Sequence, residues 1–173
     1  MKYADTNKRC LVFLTVNSSF SHSSLALPLL HSACKDLAQW EWIRYDMTNE
    51  SNIITAVRDI YAYRCDLLVT DLYLFNRQTA LEVLQRYHQL DGDCKIAVGG
   101  PECLGNGAED LLEKYPWLDH IFRGEGEKIF REYLENFDNN AFSGQRISPS
   151  DGNALFMLDK DMAARTFIAP VIG

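Results

Sequence analysis

The chain has 173 residues, enough for one ordinary domain or one domain plus a tail. Apolar residues make up 47% of it, so it belongs with globular rather than disordered chains. A formal charge of −7 with no lysine or arginine block argues against a nucleic-acid surface. No apolar run approaches the ~20 residues that cross a bilayer. The polar start MKYADTNKRC carries no apolar signal segment, which makes cytoplasmic residence the expectation.

In chain order, the apolar run Cys10–Val16 (CLVFLTV) predicts a strand. Helical period follows over Ser24–Gln39, with Leu25, Leu29, Leu30, Ala33 and Leu37 on one stripe and Pro28 suited to the first turn. Trp40–Tyr45 predicts a second strand, and Asn52–Tyr63 a helix carrying Ile53, Ile54, Val57 and Ile60. Asp66–Asp71 (DLLVTD) predicts a third strand, followed by a helix over Asn76–Leu90 with Asn76 as its N-cap. Cys94–Val98, Ala108–Tyr115, His120–Phe122 and Glu127–Phe137 complete the alternation as strand, helix, strand and helix. The first, third and fourth strands are almost continuously apolar, as strands covered on both faces are. This alternation predicts an α/β fold: a five-stranded parallel Rossmann- or flavodoxin-like sheet, order 2-1-3-4-5, with helices on both faces.

Residues 1–137 read as that domain. Residues 138–173 read as a linker and tail, polar and turn-rich over 138–155, and the run Phe156–Gly173 offers no complete unit. The expectation is a fragment of a longer protein. The five cysteines, Cys10, Cys34, Cys65, Cys94 and Cys103, fit no zinc or iron–sulfur spacing. Cys10, Cys65 and Cys94 lie in or beside strand-like runs, which points to packing rather than cysteine chemistry.

Ligands of such sheets bind outside the carboxyl ends of the strands. Four loops meet there: Asn17–Ser24 after the first strand, Asp71–Asn76 after the third, Gly99–Glu102 after the fourth, and Arg123–Glu127 after the fifth. The serine-rich first loop offers hydroxyls and N–H groups at a helix start, or serves as a turn and cap. It matches neither GxGxxG nor the P-loop pattern, and His22 comes without the GxSxG elbow of a hydrolase. Gly99 and Gly100 let the backbone turn sharply, let a flat ligand lie close, or both, and Pro101 stiffens the exit. Glu125 and Glu127 suit a helix start through its dipole.

Together "VGGPE" (98–102), "DHIFRGEGE" (119–127) and "SSFSHSSLALPLL" (18–30) resemble the N-terminal cobalamin-binding domain of radical S-adenosylmethionine enzymes. The resemblance spans roughly residues 9–137 and is nearest to the magnesium-protoporphyrin IX monomethyl ester cyclase-like subgroup. It implies cobalamin held by Ser18, Ser19, His22, Leu72, Tyr73, Phe75, Gly99, Gly100, Pro101, Glu102, Arg123, Gly124 and Glu125. It also implies a following radical domain as partner, which would bind S-adenosylmethionine and a [4Fe–4S] cluster through CxxxCxxC and carry out methyl-transfer or cyclase-like oxidoreductase chemistry. Neither CxxxCxxC nor the DxHxxG motif of methionine-synthase-type cobalamin domains occurs in the chain, so no histidine is expected below cobalt and no radical chemistry from these residues alone. The alternatives are a cofactor-free regulatory or protein-interaction domain and a nucleotide-binding domain. A receiver-like site would need paired acids after the first strand, where Asn17 and Ser18 stand.

Overall fold

The computed structural model describes residues 8–18, 26–139 and 146–148. Five strands, β1 (Arg9–Asn17), β2 (Trp40–Thr48), β3 (Leu67–Asp71), β4 (Lys95–Gly99) and β5 (His120–Ile121), alternate with five helices. The helices are α1 (Ala26–Cys34), α2 (Ile53–Ala62), α3 (Arg77–Leu90), α4 (Gly107–Lys114) and α5 (Gly126–Glu135). Every neighbouring pair of strands is parallel, in the order β2-β1-β3-β4-β5. The fold expected from the apolar alternation is the fold observed.

Alternate residues of a strand point to opposite faces, and this sorts the core into two layers. Val12, Leu14, Leu68, Ile96 and Val98 pack with Ile60, Val83, Leu84 and Leu111 of α2, α3 and α4. Leu11, Phe13, Leu67, Val69 and Ala97 face Cys34, Phe130 and Leu134 of α1 and α5. Each such fully buried aliphatic side chain contributes roughly 1.5–3 kcal/mol of transfer free energy. The buried stripes Ala56-Val57-Ile60 and Leu81-Leu84 explain why α2 and α3 form where the 3.6 period placed them. Asn52 closes the start of α2 by accepting the Thr55 N–H at 3.0 Å.

Most boundaries fall within two residues of the sequence pattern; two move further, and one contact is new. β2 runs on to Thr48 because an edge strand has a single neighbour, so exposed Asp46 sits beside buried Met47 without cost. α1 ends at Cys34, five residues before the expected Gln39, because tight turns there (Leu37 N–H to Cys34 O, 2.9 Å; Trp40 N–H to Leu37 O, 3.0 Å) bury Leu37 and Trp40. Within the stretch read as a linker, Ile147 bridges Ile121 in parallel. Ile121 N–H donates to Arg146 O at 2.7 Å and Ser148 N–H to Ile121 O at 3.0 Å, so this segment covers the outer edge of β5.

No described helix is long and apolar enough to cross a membrane.

Candidate functional site

The carboxyl ends of β3 and β4 are joined into one rigid lip. Leu72 N–H donates to Gly99 O at 2.8 Å, and Glu102 N–H donates back to Leu72 O at 3.1 Å. Gly100 makes this crossing possible. Its φ is +96°, and a Cβ there would lie 2.7 Å from Leu72 O and 2.9 Å from Leu72 N. The chain's own backbone therefore needs this glycine, where the sequence left open whether a ligand alone did. Gly99 differs: a Cβ would meet Phe122 Cβ at an ordinary 3.5 Å. Pro101 opens a short 3-10 turn ending at Cys103. Glu102 reaches sideways, pairing with Arg77 at 3.1 Å at the start of α3.

Asn76 holds the lip from beneath. It stands in the N-cap position of α3, yet its side chain caps nothing. Instead its Oδ1 accepts the Tyr73 N–H at 2.8 Å, while Nδ2 donates to Val16 O at 3.2 Å and Asp71 O at 3.1 Å. One buried amide thus ties the ends of β1 and β3 to the loop between them. Asn49 ties the β2 loop to the same place through Phe75 O at 2.8 Å. Tyr73 and Phe75 stack with ring centres 5.5 Å apart. Burial, then the nearby Asp71 carboxylate, raises the Tyr73 phenol above its ordinary pKa, so it is neutral.

The third loop adds charge. Arg123 pairs with Glu109 in the first turn of α4, and its hydrogen bond holds the Glu109 carboxyl below the usual range. Its buried Nε has no hydrogen-bond partner among the described residues. Gly124, at φ +91°, turns the chain into α5, with Glu125 in the N-cap position and Glu127 in the first turn. Gly126 serves packing: a Cβ would press within 3.2 Å of Leu30 on α1.

Of the expected site residues, the structure brings Tyr73, Phe75, Gly99, Gly100, Pro101 and Glu102 onto one lip, with Arg123, Gly124 and Glu125 on the loop beside it. Leu72 has its side chain fully buried in the core and offers only backbone. Ser18 is exposed at the end of β1, whereas Ser19 and His22 lie outside the described residues. Sequence reading missed the bonding role of Asn76, the partners Arg77 and Glu109, and Gly107, whose Cβ would lie 2.2 Å from Glu102 O. The glycines at 105 and 107, soon after the GGPE knot, were the available signal for that last constraint.

Four large apolar side chains stand exposed along this rim: Ile54 at the start of α2, Leu74, Phe75 and Leu104. Leu74 is 85% exposed and Phe75 52%, although both sit in a loop held by hydrogen bonds from Asn49 and to Asn76. Leu29, Tyr63 and Leu90 are exposed elsewhere, but Leu74 and Phe75 are adjacent on an ordered loop, the kind of apolar surface a ligand or partner covers. Among the described residues, no group of three or more His, Cys, Asp or Glu side chains is arranged to hold a metal ion.

The B12 binding domain family model matches residues 11–134, well over half of the chain. The chain belongs to the B12-binding domain family. Among solved structures, this B12-binding domain is similar to the cobalamin-dependent S-adenosylmethionine radical enzyme OxsB with aqua-cobalamin and S-adenosylmethionine bound, at TM-score 0.62 and 18% identity over 76% of this chain and 19% of that one. It is also similar to the radical S-adenosylmethionine methyltransferase TsrM from Kitasatospora setae with cobalamin and a [4Fe–4S] cluster bound, at TM-score 0.61 and 18% identity over 77% of this chain and 25% of that one. It thus spans about a fifth to a quarter of those enzymes. The Salmonella typhimurium response regulator RcsB shares the fold at TM-score 0.59 and 10% identity, over 83% of this chain and 64% of that one. At these identities the likeness shows the fold alone. No curated protein matches the sequence at a significant level.

The residues present fit a corrinoid on three counts. A broad, partly apolar ring needs an apolar platform, which Leu74 and the Tyr73–Phe75 stack supply. A ring edged with amide groups needs N–H donors, and the Arg123 Nε is one that has no hydrogen-bond partner among the described residues. The lip keeps its shape because Gly100 seats the β4 loop directly on the Leu72 backbone.

Proposed function

We propose that this chain holds cobalamin on the carboxyl rim of its sheet, as one module of a longer cobalamin-dependent radical S-adenosylmethionine enzyme of the cytoplasm. The observation that carries the reading is the concentration of exposed apolar side chains on a rim whose backbone is fixed by buried hydrogen bonds. Tyr73, Leu74 and Phe75 offer contact to the ring, and the Arg123 Nε–H and the Ser18 hydroxyl donate to carbonyls at its edge. Ser19, His22 and Glu125 complete the proposed contacts. Gly99, Gly100, Pro101, Glu102 and Gly124 set the backbone against which the ring lies, with Leu72 as its buried support. When bound, the corrinoid supplies a cobalt centre able to carry a methyl group.

Residues 1–137 form the cofactor-holding unit in this reading, and 138–173 lead towards a radical domain that brings S-adenosylmethionine and the [4Fe–4S] cluster. HSSLAL (22–27), VGGPE and RGEGE favour the magnesium-protoporphyrin IX monomethyl ester cyclase-like subgroup, with methyl-transfer or oxidoreductase chemistry in the whole protein. Anaerobic titration with hydroxocobalamin tests the first part. One corrinoid per chain is retained through desalting with a shifted visible spectrum if the reading holds; an unchanged spectrum and no retained corrinoid overturn it. The radical part stands or falls separately, on CxxxCxxC encoded beyond Gly173.

The likeness to RcsB favours a second reading, a phosphoacceptor domain using Asp71 at the end of β3. Asp71 is buried, and the end of β1 beside it supplies Asn17 and Ser18 rather than acids. Incorporation of label at Asp71 from a small phosphoryl donor would favour this reading over the first.

A further inference from the structure

At the end of the sheet opposite the rim, two thiols lie side by side. Cys65 immediately precedes the Asp66-Leu67 entry to β3, and Cys94 immediately precedes β4. Their sulfurs are 3.6 Å apart, both buried, and the Tyr87 hydroxyl lies 3.3 Å from the Cys65 sulfur. We propose that Cys65 and Cys94 form an oxidisable dithiol, in which Cys65 attacks a peroxide and Cys94 then closes a disulfide across the amino ends of β3 and β4.

The surroundings distinguish Cys65 from every other thiol of the chain. Hydrogen bonds from the Cys94 thiol and then the Tyr87 hydroxyl favour its thiolate against the opposing effect of burial, so its pKa falls below the ordinary value. Burial instead pushes Cys10 and Cys103 up to about 12 and Cys34 to about 11. The thiolate is the nucleophile, and Cys65 is the sulfur that the Tyr87 hydroxyl reaches at 3.3 Å, so Cys65 is assigned the first attack. It displaces hydroxide from hydrogen peroxide and becomes a sulfenic acid. The Cys94 sulfur, already in contact, attacks that sulfur; the S–O bond breaks, water leaves with the Cys94 proton, and an S–S bond remains. The balance is two thiols and one peroxide giving one disulfide and two waters. Closing from 3.6 Å to a bond of about 2 Å needs a modest side-chain and backbone shift. Both residues are almost wholly buried, so the peroxide reaches the sulfurs through local opening at this end of the sheet. Tyr87 acts as a positioning residue, holding the thiolate through its O–H.

The test uses the whole chain, treated with a slight excess of hydrogen peroxide, then denatured, alkylated and mapped by mass spectrometry. The expected result is loss of two hydrogens and a Cys65–Cys94 linked peptide, with Cys65 consumed at least about tenfold faster than Cys103. In Cys94→Ser the sulfenic acid accumulates on Cys65 and is trapped by dimedone, while Cys65→Ser abolishes both products. Tyr87→Phe shifts the pH profile of Cys65 consumption upward and leaves the Cys103 rate unchanged. Reaction first at Cys10, Cys34 or Cys103, or linked peptides other than Cys65–Cys94, overturn the proposal. The wild-type measurement decides even if a variant fails to fold, and none of it depends on cobalamin.

Discussion

At the amino end of the sheet, acidic side chains answer the backbone: Asp66 accepts the Cys10 N–H at 2.8 Å and pairs with Arg9, while Asp119 accepts the Ile96 N–H at 2.8 Å and pairs with Lys95. The carboxyl end is finished the other way. Its loops are fixed internally by Asn76 and by the Gly100–Leu72 contact, yet they present Leu74 and Phe75 outward, and the buried Arg123 Nε has no partner among the described residues. Rigidity with unsatisfied surface is the physical condition of a binding site, because ordering has already been supplied by folding and desolvation remains to be gained on binding. At the amino end, Asp66 and Asp119 instead take up backbone N–H groups, although Tyr63 and Leu90 at the helix ends there stay exposed.

The largest expected effect breaks this contrast at its hinge. Gly100→Leu forces a side chain into the Leu72 backbone at a positive φ, and is expected to destabilise by on the order of 3 kcal/mol or more. Gly99→Ala, by contrast, changes stability little; chemical denaturation of the two variants measures the gap. Both variants being equally stable would show that the lip is not built on Gly100. Next comes Asn76→Ala, which strands the Tyr73 N–H and two strand-end carbonyls for a loss of about 2–4 kcal/mol. Proteolysis at the Tyr73–Phe75 loop should rise with it, whereas loss of stability with no change at that loop would place the role of Asn76 elsewhere.

Phe75→Ser sharpens the comparison without touching the fold. Stability is expected to stay within about 0.5 kcal/mol, while cobalamin affinity falls about tenfold, equivalent to about 1.4 kcal/mol. Calorimetric titration checks it, and undiminished affinity would remove the aromatic platform from the site. The smallest effect lies in the turn between α1 and β2, where Asp36 pairs with Arg131 of α5 at 2.6 Å. The hydrogen bond from Arg131 holds the Asp36 carboxyl down at about 2. A lowered folded-state pKa contributes stability that is complete above the unfolded value and is lost as pH falls from about 4 through about 2. Asp36→Asn should lower stability slightly at neutral pH, flatten that acid limb of the stability curve, and converge on the wild type as pH falls through about 2. An unaltered limb would assign the acid sensitivity to other carboxylates.

The sheet was legible in the sequence because buried parallel strands read as apolar runs, and CLVFLTV and DLLVTD bracket two of them unmistakably. The extension of β2 to Thr48 was not, since Asp46 and Thr48 on an edge strand carry the same letters as a loop. At the site, the glycine knots located the rim, but a glycine records only that a side chain is unwelcome. Whether a ligand or Leu72 excludes it depends on a neighbour 28 residues away in sequence, which the fold alone brings to 2.7 Å. Asn76 shows the same limit: its position at a helix start was readable, and its bonds to Val16 and Asp71 were not. The Cys65–Cys94 contact is likewise a product of parallel pairing, invisible in a spacing of 29 residues.

Hydrogen exchange of the chain with and without hydroxocobalamin measures most directly whether the carboxyl rim is the binding surface. Slowed exchange confined to residues 17–18, 71–76, 99–107 and 122–126, with the amino-end segments around Asp66 and Lys95 unchanged, is the predicted result. Protection centred on the amino end, or none at all at saturating cobalamin, would contradict it.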